Sequence, residues 1–188
     1  MNPSAARILN AGTLRVLLNL AVFQAAWFAC VGFAARGAGD WGVAAIAAAV
    51  ALHFALSDAR RADAVLAVAA LAIGVAWETF VLRAGWIAYA SPGPVAGLAP
   101  AWILALWVLF ATTLREPLRW LHGRPALAAL FGAAGGPLSY AAGARLGACR
   151  FDDPTTALLA LGAGWALLTP LLIALARRLE AARARTAP

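Results

Sequence analysis

Lysine is absent from this chain and acids are scarce: all 15 basic residues are arginine, eight residues are Asp or Glu, and only 12% of the 188 positions are charged. So little charge excludes an ordinary soluble domain, where about a quarter of residues carry it. Disorder and a coiled coil are excluded more firmly still. Two cysteines are too few for a disulfide framework. Two histidines, His53 and His122, are too few for a histidine-rich iron centre, and no Cys, His, Asp or Glu grouping has metal-ligand spacing. Walker loop, dinucleotide fingerprint, nucleophile elbow and haem attachment motif are all missing, so no metal or cofactor is expected. The net charge of +7 is thinly spread, which argues against a nucleic-acid partner.

What the chain has in abundance is apolar length. Hydrophobic residues make up 64% of it, and mean hydropathy is +0.81. A helix needs about 20 mainly apolar residues to cross a hydrocarbon core about 30 Å thick. Six stretches approach that requirement, at 14–35, 41–57, 63–83, 95–115, 125–147 and 154–177. Hydrocarbon cannot satisfy a bare peptide group, so these read as helices rather than strands. The expectation is therefore an all-α, polytopic membrane protein, one domain over 1–188 built as a bundle of six transmembrane helices.

Arginines on alternate sides of the six stretches number 11 and four. The positive-inside rule places the richer side, which holds Arg7 and both termini, in the cytoplasm. The longest connection on the other side, Trp86 to Ala99, contains Pro92, Gly93, Pro94 and Gly97 and reads as a surface turn. Cys30 and Cys149 fall toward that same side. They either pair there or remain two small buried thiols.

An ionisable residue inside a span is the most informative kind available in such a protein. Glu78 is the acid that falls well inside one, 14 residues beyond Ala64 and so about 21 Å along the helix. Tyr140 lies 15 residues beyond Pro125 on a helix running the same way, about 22 Å along. The two share a depth, with Arg145 just beyond Tyr140 and Arg83 closing the third span. Glu78, Tyr140, Arg145, Arg83 and Ser139 thus form the candidate binding cluster, with Glu78 as candidate catalytic acid or base. A polar clamp that fixes helix register, a lipid-headgroup or substrate site, and a proton-coupling site all fit that pattern.

The fifth stretch carries the clearest packing signal. Gly132, Gly136, Gly143 and Gly147 recur at steps of four, seven and four, a small-residue stripe that admits a close helix neighbour. Gly135, Gly136 and Pro137 in succession also predict a kink. Arg115 to Arg124 and the tail Arg177 to Arg185 form basic ends suited to anionic headgroups or a protein partner. His53, Asn19, Gln24, Thr112 and Thr113 are expected to bond to a neighbouring helix or their own backbone.

The run Gly135-Gly136-Pro137-Leu138-Ser139-Tyr140-Ala141-Ala142-Gly143-Ala144-Arg145-Leu146-Gly147-Ala148, the segment Trp102 to Trp107 with Phe110, Thr113 and Trp120, and the opening Asn19 to Trp27 resemble a family of small six-helix bacterial inner-membrane proteins. The family is catalogued as a domain of unknown function, and the resemblance covers nearly the whole chain. It implies an inner-membrane location and a place beside fatty-acid-modifying genes, such as cyclopropane-fatty-acid synthases and flavin amine-oxidase-like proteins. In that family the third span bears Asp followed by a small hydroxyl residue; Glu78 and Thr79 occupy those positions here.

The leading functional expectation is an accessory or lipid-binding protein linked to membrane-lipid modification, with membrane lipids and a membrane or lipid-modifying protein as partners. A membrane enzyme acting on acyl chains or headgroups through Glu78, and a small proton-coupled transporter, are the alternatives.

Overall fold

The computed structural model describes residues 11–186; Arg7, counted above on the arginine-rich side, lies outside them. Within that range the chain is mainly helical, with two short strands and turns between the helices. The elements are α1 (Ala11–Ala34), α2 (Gly39–Leu56), α3 (Arg60–Arg83), β1 (Ile87–Tyr89), α4 (Ala101–Ala111), α5 (Pro125–Arg145), β2 (Cys149–Phe151) and α6 (Pro154–Thr186), with a single 3-10 turn at Arg119–Leu121. Helices α1, α2, α3 and α6 are each long and apolar enough to cross a membrane.

The fourth predicted span is corrected. It shortens from 95–115 to 101–111, because Pro100 stands extended at the N-cap and residues 112–118 run as successive turns. Eleven helical residues rise only about 16 Å, roughly half a hydrocarbon core. Helix α5 has 21 residues, but glycine, proline, serine and tyrosine dilute its apolar character. Helix α6 instead runs on to Thr186, well past the predicted 177. It begins with Pro154 directly after Asp153, whose carboxylate accepts from the Thr155 N–H at 3.0 Å and the Thr156 hydroxyl at 2.5 Å. Those bonds cap the helix start and hold the Asp153 carboxyl below its usual range.

Helix α5 packs along α6, α1 along α2, and α3 against both α4 and α6, while α4 also reaches α1 and α2. At one end the connections after α3 and α5 pair as an antiparallel ribbon, Ile87 with Phe151 and Tyr89 with Cys149. This overturns the surface-turn expectation for the start of the 86–99 connection: Ile87 and Tyr89 are buried. Gly147, expected in the packing stripe, lies beyond the helix at φ +88°, a left-handed conformation that ends α5 and turns the chain into β2. The opposite end, where α2, α3 and α6 bring Asp58, Asp63 and Arg183 together, is called the arginine end below.

A buried core near the ribbon gathers Cys30, Val31, Ile46, Val81, Trp102, Ile103 and Leu161. A second, toward the arginine end, gathers Leu66, Trp107, Leu114, Leu121, Leu172 and Ile173.

Candidate functional site

Glu78 is fully buried on α3 and meets three donors from three different elements. The Tyr89 hydroxyl on β1 donates to Oε2 at 2.6 Å. The Trp107 indole N–H on α4 donates to Oε1 at 2.7 Å, and the Tyr140 hydroxyl on α5 donates to the same oxygen. An ionised carboxyl accepts only, with about four lone-pair positions, so three donors nearly fill it. Four elements are thereby tied to one side chain, and every donor is neutral.

Local sequence explains how Trp107 gets there. Gly74 lies one turn before Glu78 on the same face of α3, and a Cβ added there would stand 2.7 Å from Trp107 Cδ1. The glycine admits the indole, and the carboxyl fixes its N–H. Tyr89 is carried in by the ribbon register, opposite Cys149. Burial pushes the Cys149 thiol up to about 11, and the nearby Glu78 carboxyl adds to the effect.

The arginines proposed as partners of Glu78 go elsewhere. Arg83 Nε donates to the Gly97 carbonyl at 2.9 Å, and Arg145 closes the exposed end of α5; neither is bonded to the carboxyl. Tyr140 is brought to it, while Ser139 sits on a neighbouring cavity wall. Tyr89 and Trp107 were missed. Tyr89 lies in the connection expected to be a surface turn, and Trp107 carries no mark in the sequence beyond the Gly74 to Glu78 spacing that admits its ring. Cys30 and Cys149 are free and buried.

Beside the carboxyl cluster lies a cavity of about 430 Å³, within the usual range for small-molecule sites. Helices α1, α4, α5 and α6 supply its walls: Phe23, Gln24, Trp27 and Phe28 from α1; Ile103, Leu106, Trp107 and Phe110 from α4; Phe131, Gly135, Ser139 and Tyr140 from α5; Trp165 and Thr169 from α6. The Trp107 and Trp165 rings stack at 4.7 Å between centroids. Phe28, Phe131 and Leu138 on the rim are exposed and lie well within their helices, so the cavity opens through the side of the bundle. Trp107 and Tyr140 form the partition: each lines the cavity and each donates to Glu78.

The stripe on α5 makes that wall. A Cβ on Gly132 or Gly136 would run into Trp165 of α6, so both glycines let α6 approach. Gly143 is less demanding, with Cys149 Sγ 3.9 Å from such a Cβ. Pro137 lies within the helix as expected.

Residues 16–171 match the family model described as a protein of unknown function, DUF2878. The chain belongs to the DUF2878 family. No curated protein and no solved structure matches it. Both Glu78 and the cavity of this DUF2878 chain fall inside the matched region.

A second polar cluster occupies the arginine end. Asp63 is 5% exposed and accepts from Arg115 Nη1 at 2.9 Å and from the Ser57 hydroxyl, with His53 Nε2 at 3.3 Å. Asn19 donates to His53 Nδ1 and to the Thr112 carbonyl, each at 3.1 Å. Arg115 also reaches Asp58 at 3.5 Å, which Arg183 of α6 holds at 3.2 Å. His122 faces Glu180 at 3.4 Å. Arg115 and His122 therefore point into the protein, not outward to headgroups as expected. Thr112 and Thr113 donate to their own helix backbone at 2.7 Å. Among the described residues no group of three or more potential ligands could hold a metal ion.

Proposed function

We propose that this protein is a multi-pass inner-membrane protein that binds a lipid chain in the lateral cavity, as an accessory to membrane-lipid modification. In this reading α4 with its turn-rich continuation and α5 complete six crossings, and both termini face the cytoplasm. The observation that carries it is an aromatic cavity open through the side of a bundle of apolar helices. Lipid tails are what a side opening at that depth would meet. Glu78 favours holding over turnover: a carboxyl filled by three donors and sealed from the cavity keeps Trp107 and Tyr140 in place as a rigid wall. The exposed arginines at the opposite end, Arg119 among them, suit anionic headgroups or a lipid-modifying protein partner.

The test is lipid retention by the full chain extracted with its surrounding membrane. Gly135 lines the cavity, and a Cβ there meets nothing within 4 Å, so Gly135→Phe places a ring in the cavity without disturbing the wall. The wild type should retain a bound lipid, detectable by native mass spectrometry, that Gly135→Phe loses. Equal retention by both would remove the cavity from the function.

The enzyme reading keeps one supporting observation, since Tyr140 touches both the cavity and the carboxyl. It predicts a lipid species absent from cells lacking the gene and equally absent from cells carrying Glu78→Gln.

A further inference from the structure

A second, smaller cavity lies at the arginine end, and Phe23 belongs to the walls of both. The same two elements line the pair from end to end. On α1, Arg15, Asn19, Phe23 and Trp27 recur at steps of four and so follow one face of the helix. Arg15 and Asn19 line the smaller cavity, Phe23 borders both, and Trp27 lines the lateral one. On the facing wall, α4 and its continuation give Leu106 and Phe110 to the lateral cavity, then Thr112, Arg115 and Glu116 to the smaller one. The two walls run in opposite chain directions yet change character together, from apolar to polar and then to charged.

The charges on the smaller cavity are not all answered within the fold. Asp58, Asp63 and Glu180, the other acids of the arginine end, each meet an arginine or a histidine. Glu116, half-buried, has no cation beside its carboxyl among the described residues. Arg15 is exposed and has no acid beside it among the same residues. Arg115 and His53 line the cavity too, but Asp63 lies against both. What is left on the wall is one open cation and one open anion. Arg15 also stands only three residues inside the start of its span at Gly12, the depth at which headgroups begin.

We infer that the two cavities form one amphipathic site for a zwitterionic phospholipid of the ethanolamine kind. One acyl chain lies in the lateral cavity and the headgroup sits at the smaller one, with its phosphate on Arg15 and its ammonium on Glu116. A guanidinium fork suits phosphate, and an ammonium donating to a carboxylate is a charge-assisted bond. A headgroup with a single negative charge would satisfy Arg15 but place like charge before Glu116, which charge complementarity disfavours. A ligand carrying both signs answers both residues. The side opening leaves a second acyl chain in the bilayer. This rests on the lipid-cavity reading and deepens it by naming the headgroup.

The experiment offers the full-length protein in detergent equal amounts of phosphatidylethanolamine and phosphatidylglycerol with identical acyl chains, and reads binding by native mass spectrometry. The wild type should bind the ethanolamine lipid about tenfold better, as expected for one charge-assisted hydrogen bond. Glu116→Gln should bring the two lipids level, and Arg15→Gln should weaken both by about tenfold. Gly135→Phe, which fills the lateral cavity, should lose both. Equal binding of the two lipids by the wild type, or a preference for phosphatidylglycerol, overturns this inference. A preference that survives Glu116→Gln overturns it as well. In each of these cases the loss of both lipids in Gly135→Phe leaves the lipid-cavity reading standing. Binding by Gly135→Phe equal to that of the wild type removes that reading itself. The wild-type ratio decides the matter even if Glu116→Gln does not fold.

Discussion

Trp107 and Glu78 are joined by a 2.7 Å bond from the indole N–H to Oε1, and this contact sets the partition between the lateral cavity and the carboxyl cluster. Removing the acceptor strands three donors at once. Glu78→Leu should destabilise the protein by about 3 kcal/mol or more, about 1 kcal/mol or more for each of the three neutral donors left unsatisfied. Glu78→Gln keeps one acceptor oxygen but turns an amide N–H₂ toward a donor, and about 1 to 2 kcal/mol is expected. Tyr89→Phe, which leaves Glu78 two donors, should fall near 1 kcal/mol. Thermal unfolding in detergent measures all three, and Glu78→Leu no less stable than Tyr89→Phe would contradict the clamp.

Neighbouring glycines on α5 should behave oppositely. A methyl group on Gly132 or Gly136 meets Trp165, and its nearest approach to backbone or Cβ atoms leaves no room for relaxation by side-chain rotation alone. Each Ala substitution should cost about 1 to 3 kcal/mol through overpacking. Gly135→Ala meets open space and should be neutral or stabilise by up to about 1 kcal/mol, because alanine holds a helix better than glycine. Gly74→Ala joins the first class through Trp107. Melting temperatures of the four variants check the ordering.

The helices and the acid at the centre of the site were readable from sequence because both follow from hydrocarbon: apolar length marks a span, and a carboxyl within one must have partners. Tyr140 was placed correctly by counting residues along parallel helices. Counting along single helices says nothing about loops, and Tyr89 reaches Glu78 only because β1 pairs with β2, a register no periodicity announces. Arg83 and Arg145 stand beside Tyr140 as candidate partners because all three lie near Glu78 in depth. The ribbon and the Gly97 carbonyl lie where Arg83 ends up, and the carboxyl is satisfied by phenols and an indole. The Asp63 cluster escaped notice since its members lie at the edges of predicted spans, where charges are expected to be solvated.

Cys149 should be a slow thiol. With its value pushed up to about 11 by burial and the neighbouring Glu78 carboxyl, about one molecule in a thousand carries the reactive thiolate at pH 8. Maleimide added to the folded protein should leave Cys149 largely unmodified at neutral pH, with the rate rising about tenfold per pH unit. Cys30, fully buried on α1, should resist as well, and both should react on unfolding. Rapid labelling of Cys149 at pH 7 would show that the ribbon opens.

Arg115 ties the arginine end together through two acids of unequal worth. Asp63 is buried beside it, so Asp63→Asn leaves a guanidinium only 7% exposed without its main partner, and a loss of about 3 to 5 kcal/mol is expected. Asp58 is half exposed, and Asp58→Asn should cost under about 1 kcal/mol. Burial opposes the charge on Asp58, but Arg183 and Arg115 outweigh it and hold the carboxyl below its usual range. Its value is lowered on folding, so the stability it adds is complete above the unfolded value near pH 4. That stability is lost as pH falls through the lower folded value. Melting curves of wild type and Asp58→Asn should therefore run apart above about pH 4 and converge in stronger acid. Curves that coincide, or differ by the same amount, at every pH would show that Arg183 holds Asp58 through its backbone carbonyl, which it also meets at 3.0 Å, and not through the charge.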